Sequence, residues 1–288
     1  MGYRRVILVV GLLMASSLAC QAIEDIQQVV ETVDRSVQLL REIDESGTWQ
    51  YSVDGIEALN NADGYAGTLT IVRGQTNPTG DEITATDESL RWEISTDADG
   101  ETRIIDIRND ERREFISVRP PNATTDSERD TYLVNNDGTL ECVTDGTNTT
   151  FATSLSEAFA EYSAIAVGVQ ALSIAEEDGT ETINGVQTTR YRLESRLDEA
   201  LDILADFPSE DLRQSVADVP EFYIDGALYI AQEGGELMRF NATYADLDEQ
   251  RGNNFSFEVR ELGNQPDITL DESRIVQPCN AGASTPTP

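Results

Sequence analysis

The sequence predicts an α+β protein in which a large curved antiparallel β-sheet covers an apolar helix, with an amphipathic helix on the N-terminal side. Three observations carry this. Apolar residues recur at spacings of three and four up to about Gly47, they alternate in twos from about Thr48 to Asp145 and again after Thr182, and a helical segment nearly free of charge lies between the two alternating regions.

The chain opens on Arg4 and Arg5, an uncharged run from Val6 to Ala15, and Ser17-Leu18-Ala19-Cys20. A basic start, a short apolar run and small residues at a cut site make residues 1–19 an export signal. The run is shorter than the roughly 20 residues that a membrane-spanning helix needs. Cleavage before Cys20 would leave it as the first mature residue, acylated and holding the protein to the membrane. Ser17 stands where a lipoprotein signal usually has Leu, and both Ser17-x-Ala19 and Cys20-x-Ala22 also fit an ordinary secretory cut. Lipid attachment at Cys20 ranks ahead of plain secretion, so the expected location is the extracytoplasmic face of the membrane, in the cell envelope.

The three cysteines fit this order. With Cys20 acylated, Cys142 and Cys279 remain as a pair that an oxidising compartment would bridge, worth roughly 4 kcal/mol in the loop-entropy model. The alternative is two buried free thiols.

Residues 20–47 form the amphipathic helix: Ile23, Ile26, Val30, Val33, Val37 and Leu40 share one stripe, and Gly47 supplies the stop. The stripe is expected to pack on the body of the same protein; fewer than four heptads is short for a free coiled coil. From Thr48 the period is two. Leu69 and Ile71, then Leu90, Trp92 and Ile94, then Ile105 and Ile107 alternate with polar neighbours, and Asp97-Ala98-Asp99-Gly100, Asn109-Asp110 and Asn135-Asn136-Asp137-Gly138 fall between as turns. A meander follows.

Ser154 opens the apolar helix, where Leu155, Phe159, Tyr162, Ile165, Val169 and Leu172 share a side and only Glu157 and Glu161 carry charge. Beyond it, Thr182 to Arg196 reads as a strand pair turning at Asn184-Gly185, and Asp198 to Val216 as short helices broken at Pro208. Three further strands cover Glu221 to Ala231, Leu237 to Asp246 and Asn253 to Glu261. Phe222, Ile224, Leu228 and Ile230 face one way, as do Met238, Phe240, Ala242 and Tyr244, and then Phe255, Phe257 and Val259. Residues 48–280 are expected to form one domain, and the Pro/Thr-rich segment 281–288 a disordered tail.

Composition restricts the chemistry. The chain has no His, all 20 basic residues are Arg, and Asp and Glu number 54, for a formal charge of −34. Triads and dyads that need His, and Schiff bases that need Lys, are therefore excluded. Carboxylate-pair hydrolysis survives only in principle, because no pair stands out. No enzyme activity, cofactor or metal site is expected. Asp97-Ala98-Asp99-Gly100-Glu101 lacks the later ligands of a calcium loop. So acidic a surface would be repelled by nucleic acid, and it matches a solvated, salt-tolerant exterior.

Asn184-Gly185-Val186-Gln187-Thr188-Thr189-Arg190-Tyr191-Arg192 resembles a strand of the LprG/LppX lipoprotein group, which shares the half-barrel of the LolA/LolB lipoprotein carriers. Gly226 to Ala231 followed by Gly234 to Arg239 is similar to the next hairpin of that group. The resemblance covers about residues 182–262. It implies a half-barrel around a helix with an apolar hollow that accepts lipid or the acyl chains of a lipoprotein. The expected lining is then Tyr162, Ile165 and Val169 from the helix, with Phe222, Leu228, Ile230, Phe240, Phe255 and Phe257 from the sheet. The same aromatics could instead fill the hollow themselves, leaving a surface interaction or structural module.

Overall fold

The computed structural model describes residues 26–85, 89–108, 111–120, 129–143, 173–206, 214 and 221–279. The signal segment 1–19, Cys20, the apolar helix with Tyr162, Ile165 and Val169, and the tail 281–288 lie outside the described residues.

Helix α1, Ile26–Ser46, is followed after Gly47 by α2, Thr48–Asn60. Strands β1 (Tyr65–Thr76), β2 (Ile83–Ala85), β3 (Leu90–Thr96), β4 (Thr102–Arg108), β5 (Glu111–Val118), β6 (Asp130–Val134) and β7 (Leu140–Cys142) come next. Then follow β8 (Ser173–Ile183), β9 (Val186–Ser195), helix α3 (Leu197–Ala205), β10 (Phe222–Ala231), β11 (Leu237–Asp246), β12 (Arg251–Leu262) and β13 (Ile275–Gln277). All thirteen strands belong to one sheet, in the order β13-β7-β6-β5-β4-β3-β1-β12-β11-β10-β9-β8, with β2 paired to the end of β1. Every pairing is antiparallel except β13 on β7, so short hairpins build two halves that meet where β1 pairs with β12.

The inward residues of the second half agree with the alternation. Leu228 lies opposite Phe240, Phe240 opposite Phe257, and Ala242 opposite Phe255. The row continues through Leu69 beside Phe257 and Trp92 beside Leu69. The hairpin between β8 and β9 turns at Asn184 (φ 48°) and Gly185 (φ 89°), left-handed values that an Asn-Gly pair adopts at little cost.

Three expectations are corrected. Thr48–Asn60 is a helix, although Thr48, Trp49, Tyr51, Val53 and Ile56 favour strands; Ser52, Gly55, Ile56 and Leu59 are buried at spacings of three and one, and tertiary packing overrides propensity. A Cβ on Gly55 would lie 3.0 Å from both Ile230 Cδ1 and Leu237 Cβ, so the missing side chain lets α2 sit down on the sheet. In β4 the face shared with Ile94 and Trp92 carries Ile104 and Asp106 rather than Ile105 and Ile107, although Ile105 on the opposite face is buried as well. The polar Asp106 breaks the alternation and is satisfied there: its Oδ1 accepts from Trp92 Nε1 at 3.0 Å and from Arg108 Nε at 3.1 Å. In α1 the side against the body is Thr32, Ser36, Leu39 and Ile43, while Val37 is 59% exposed. The buried Ser36 hydroxyl donates to the Thr32 carbonyl, a local bond that makes a small polar residue tolerable at that contact.

The first half is closed at its end by Asp97, also buried, whose Oδ1 accepts from the Asp99 and Glu101 amides and whose Oδ2 accepts from the Ile268 amide at 2.7 Å. Nearby, burial pushes Tyr65 from 10.0 up to about 12, against weaker opposing pulls from its hydrogen bond to Thr96 and from Arg129. A raised phenol pKa means that the fold favours the neutral form. Its contribution to stability is present in full below pH 10, and is lost as pH rises from there through about 12. Denaturant unfolding followed at increasing alkaline pH should show this loss, and Tyr65→Phe should flatten it; an identical pH slope in the variant would contradict the assignment.

Candidate apolar binding site

The inward face of β8–β11 is where helix, sheet and half-exposed aromatics come together. α2 lies against this part of the sheet through Gly55 on Ile230 and Leu237, and through Tyr51, whose ring centroid is 4.7 Å from that of Tyr191. On the same strands, Gly226 and Ala242 are paired and place small residues between larger ones. Ile224 and Tyr244 pair across the strands, and the Phe222 ring stacks on Tyr244 with centroids 5.0 Å apart. Leu193 closes in from β9, its Cδ1 3.3 Å from where a Cβ on Gly226 would stand.

Burial divides the residues expected to line a hollow. Leu228, Phe240 and Phe257 are fully buried and Phe255 nearly so, with Phe240 and Phe255 in ring contact at 5.4 Å. These four are packed core. Phe222 and Ile230 are half-buried, and so are Ile224, Tyr244, Tyr191 and Tyr51 beside them. The accessible part is therefore a shelf of aromatic and branched side chains with Gly226 and Ala242 in its floor. Ile224 and Tyr244 belong to the inward rows that the alternation defines, and Tyr191 of β9 joins them opposite Leu228; Tyr51 does not, because it comes from a helix.

Charge stands only at the edges of the shelf, where Glu177 of β8 lies opposite Tyr191 and Asp246 at the end of β11 lies opposite Phe222. Burial raises the Tyr191 phenol above its ordinary value, helped by Tyr51 and Glu177, and burial raises Tyr244, helped by Asp246. Both phenols are neutral at physiological pH and offer a hydrogen bond at the rim of an otherwise apolar surface. The two buried carboxylates among the described residues, Asp97 and Asp106, are occupied by backbone amides and by Trp92 and Arg108. Among the described residues no cluster of three or more His, Cys, Asp or Glu could hold a metal ion. Such a surface can hold an apolar body by contact.

At the other end of the sheet a cavity of about 570 Å³ opens between β5, β6, β7 and β13. Phe115 and Leu133 form part of its wall, with Arg112, Arg113, Glu111 and Glu141 around them. Cys142 also lines it, and is bridged to Cys279 with 4.9 Å between the Cα atoms.

No protein-family model matches the chain, and no curated protein matches it. Among solved structures, MucB in complex with MucA(peri) is similar at 10% identity, covering 79% of this chain and 60% of that one, with a TM-score of 0.31. A LolA superfamily protein from Nitrosomonas europaea is similar at 7% identity over 77% of this chain and 95% of that one, with a TM-score of 0.25. A putative outer membrane lipoprotein-sorting protein domain from Vibrio parahaemolyticus gives 7%, 77%, 94% and 0.24. The chain thus spans about 60% of the MucB chain that it matches. These TM-scores are too low to carry fold or function across, and the architecture above stands on its own strands and register.

Proposed function

We propose that this is an exported, non-enzymatic carrier that holds a lipid, or the acyl chains of a lipoprotein, between the inward face of the sheet and its helices, anchored to the membrane through acylated Cys20. The carrying observation is the shelf of Phe222, Ile224, Ile230, Tyr244, Tyr191 and Tyr51, half-buried around Gly226 and Ala242, with the carboxylates of Glu177 and Asp246 only at its edges. Each methylene buried there would contribute about 0.8 kcal/mol, so useful affinity needs no charged contact. The resemblance of residues 182–262 to the LprG/LppX group supports the same reading, including a half-barrel closed around a helix.

A second reading, a surface module with a self-filled core and no ligand, is favoured by Leu228, Phe240 and Phe257, which are fully buried by their own neighbours. Binding separates the two. A fluorescent polyene fatty acid titrated into the purified protein should bind, and Ile224→Glu, which puts a carboxylate on the shelf, should weaken it at least about ten-fold. Val276→Glu, at an exposed valine near the opposite end of the sheet, should leave the affinity unchanged. No binding by a folded protein, or equal binding by Ile224→Glu, would remove the carrier reading.

A further inference from the structure

The apolar stripe of α1 is a heptad seam, and among the described residues it is not the face that meets the protein's own body. Ile23, Val30 and Val37 occupy one position of the repeat and Ile26, Val33 and Leu40 the other, at alternating spacings of three and four. The described helix, Ile26 to Ser46, carries Ile26, Val30, Val33, Val37 and Leu40. Its contact with the body is made by Thr32, Ser36, Leu39 and Ile43, each under 9% exposed. At 100° per residue, the centre of the seam lies roughly 110° around the helix from the centre of that contact. Val37 at the seam is 59% exposed and Val33 and Leu40 are half-buried. A lone surface valine needs no explanation, but six apolar residues in heptad register, with no charge among them before Asp44, do.

We infer that α1 pairs in parallel with α1 of a second copy of this chain through Val30, Val33, Val37 and Leu40. Knobs-into-holes packing is what a seam of alternating three and four spacing fits, and β-branched residues at the first position with Leu available at the second favour two strands. The flanks choose the orientation. In a parallel pair Ser36 faces Arg41 of the other copy and Val29 faces Asp34, so no like charges meet; a centred antiparallel pair would set Asp34 against Asp34. The seam is short, Ile26 to Leu40 being about 21 Å, so the association is weak and concentration-dependent.

The test uses the exported full chain carrying Cys20→Ser, which removes the competing thiol. Under mild oxidation Val37→Cys should give a disulfide-linked dimer and Gln38→Cys, one residue off the seam, only a background level. In sedimentation equilibrium over a concentration series, Val37→Glu should raise the dimer dissociation constant at least about ten-fold while circular dichroism and melting stay unchanged. Dimer from Val37→Cys no greater than from Gln38→Cys would overturn the inference. So would a strictly monomeric parent protein whose binding to phosphatidylcholine vesicles is lost in Val37→Glu, because the seam would then be a membrane-facing stripe.

Discussion

Replacing Trp92 with alanine is expected to cost about 3–5 kcal/mol, the range for emptying a fully packed aromatic site. Trp92 is completely buried and lies on the inward face between Leu69 of β1 and Asp106 of β4, in the row that runs on through Phe257 and Phe240 into the second half of the sheet. Its loss opens a cavity at the centre of that row and removes a donor from a buried carboxylate. Trp92→Phe separates the two contributions: most of the volume stays and the bond to Asp106 goes, for about 1–3 kcal/mol. Urea unfolding of the three proteins gives both numbers. A loss below about 1 kcal/mol in Trp92→Ala would mean that the two halves do not share one packed row.

The second large effect comes from the Cys142–Cys279 bridge. It spans a sequence separation of 137 and fastens the segment after β13 to β7. β13 has only three residues and is the one parallel strand among those described, so besides the bridge that end is tied by Arg274 Nε donating to the Gly138 carbonyl and, further back, by the Ile268 amide donating to Asp97. Closing a loop of this length is worth about 4–5 kcal/mol in the chain-entropy model, and Cys142→Ser or Cys279→Ser should lose most of it. The double variant should lose no more than either single one, since one bond is at stake. Labelling of both thiols in the unreduced, denatured protein would contradict the bridge itself.

Where the sequence was readable, one face of one element was decisive. The rows Phe222 to Leu228, Phe240 to Tyr244 and Phe255 to Val259 alternate, and the sheet places them side by side, until a bulge after Tyr229 pairs Ile230 with Leu237. The cysteine pair followed from the count together with export and the assignment of Cys20 to the anchor. Legibility failed where two demands met in one segment. Thr48–Asn60 carries strand-favouring side chains on a helix, because Gly55 and Ile56 fit the sheet surface only at helical spacing. β4 buries Asp106 and turns Ile107 outward, since Trp92 requires an acceptor more than the core requires another isoleucine. In α1 the more apolar stripe is the less buried one, and composition alone cannot say which face meets the body. The shelf was half legible: Phe222 and Ile230 were among the expected lining, but Phe240, Phe255 and Phe257 turn out to be filling, Tyr191 joins by pairing opposite Leu228, and Tyr51 joins only through tertiary contact.

Binding of an apolar cargo on that shelf is the central claim, and native mass spectrometry of the protein released gently from its own membrane tests it most directly. The expected result is a fraction of molecules carrying extra mass that fragments to a lipid or acyl chain, reduced or absent in Ile224→Glu. Protein of bare polypeptide mass apart from its anchor, with the same spectrum from Ile224→Glu, would show that the interior is filled by its own side chains and that the carrier account is wrong.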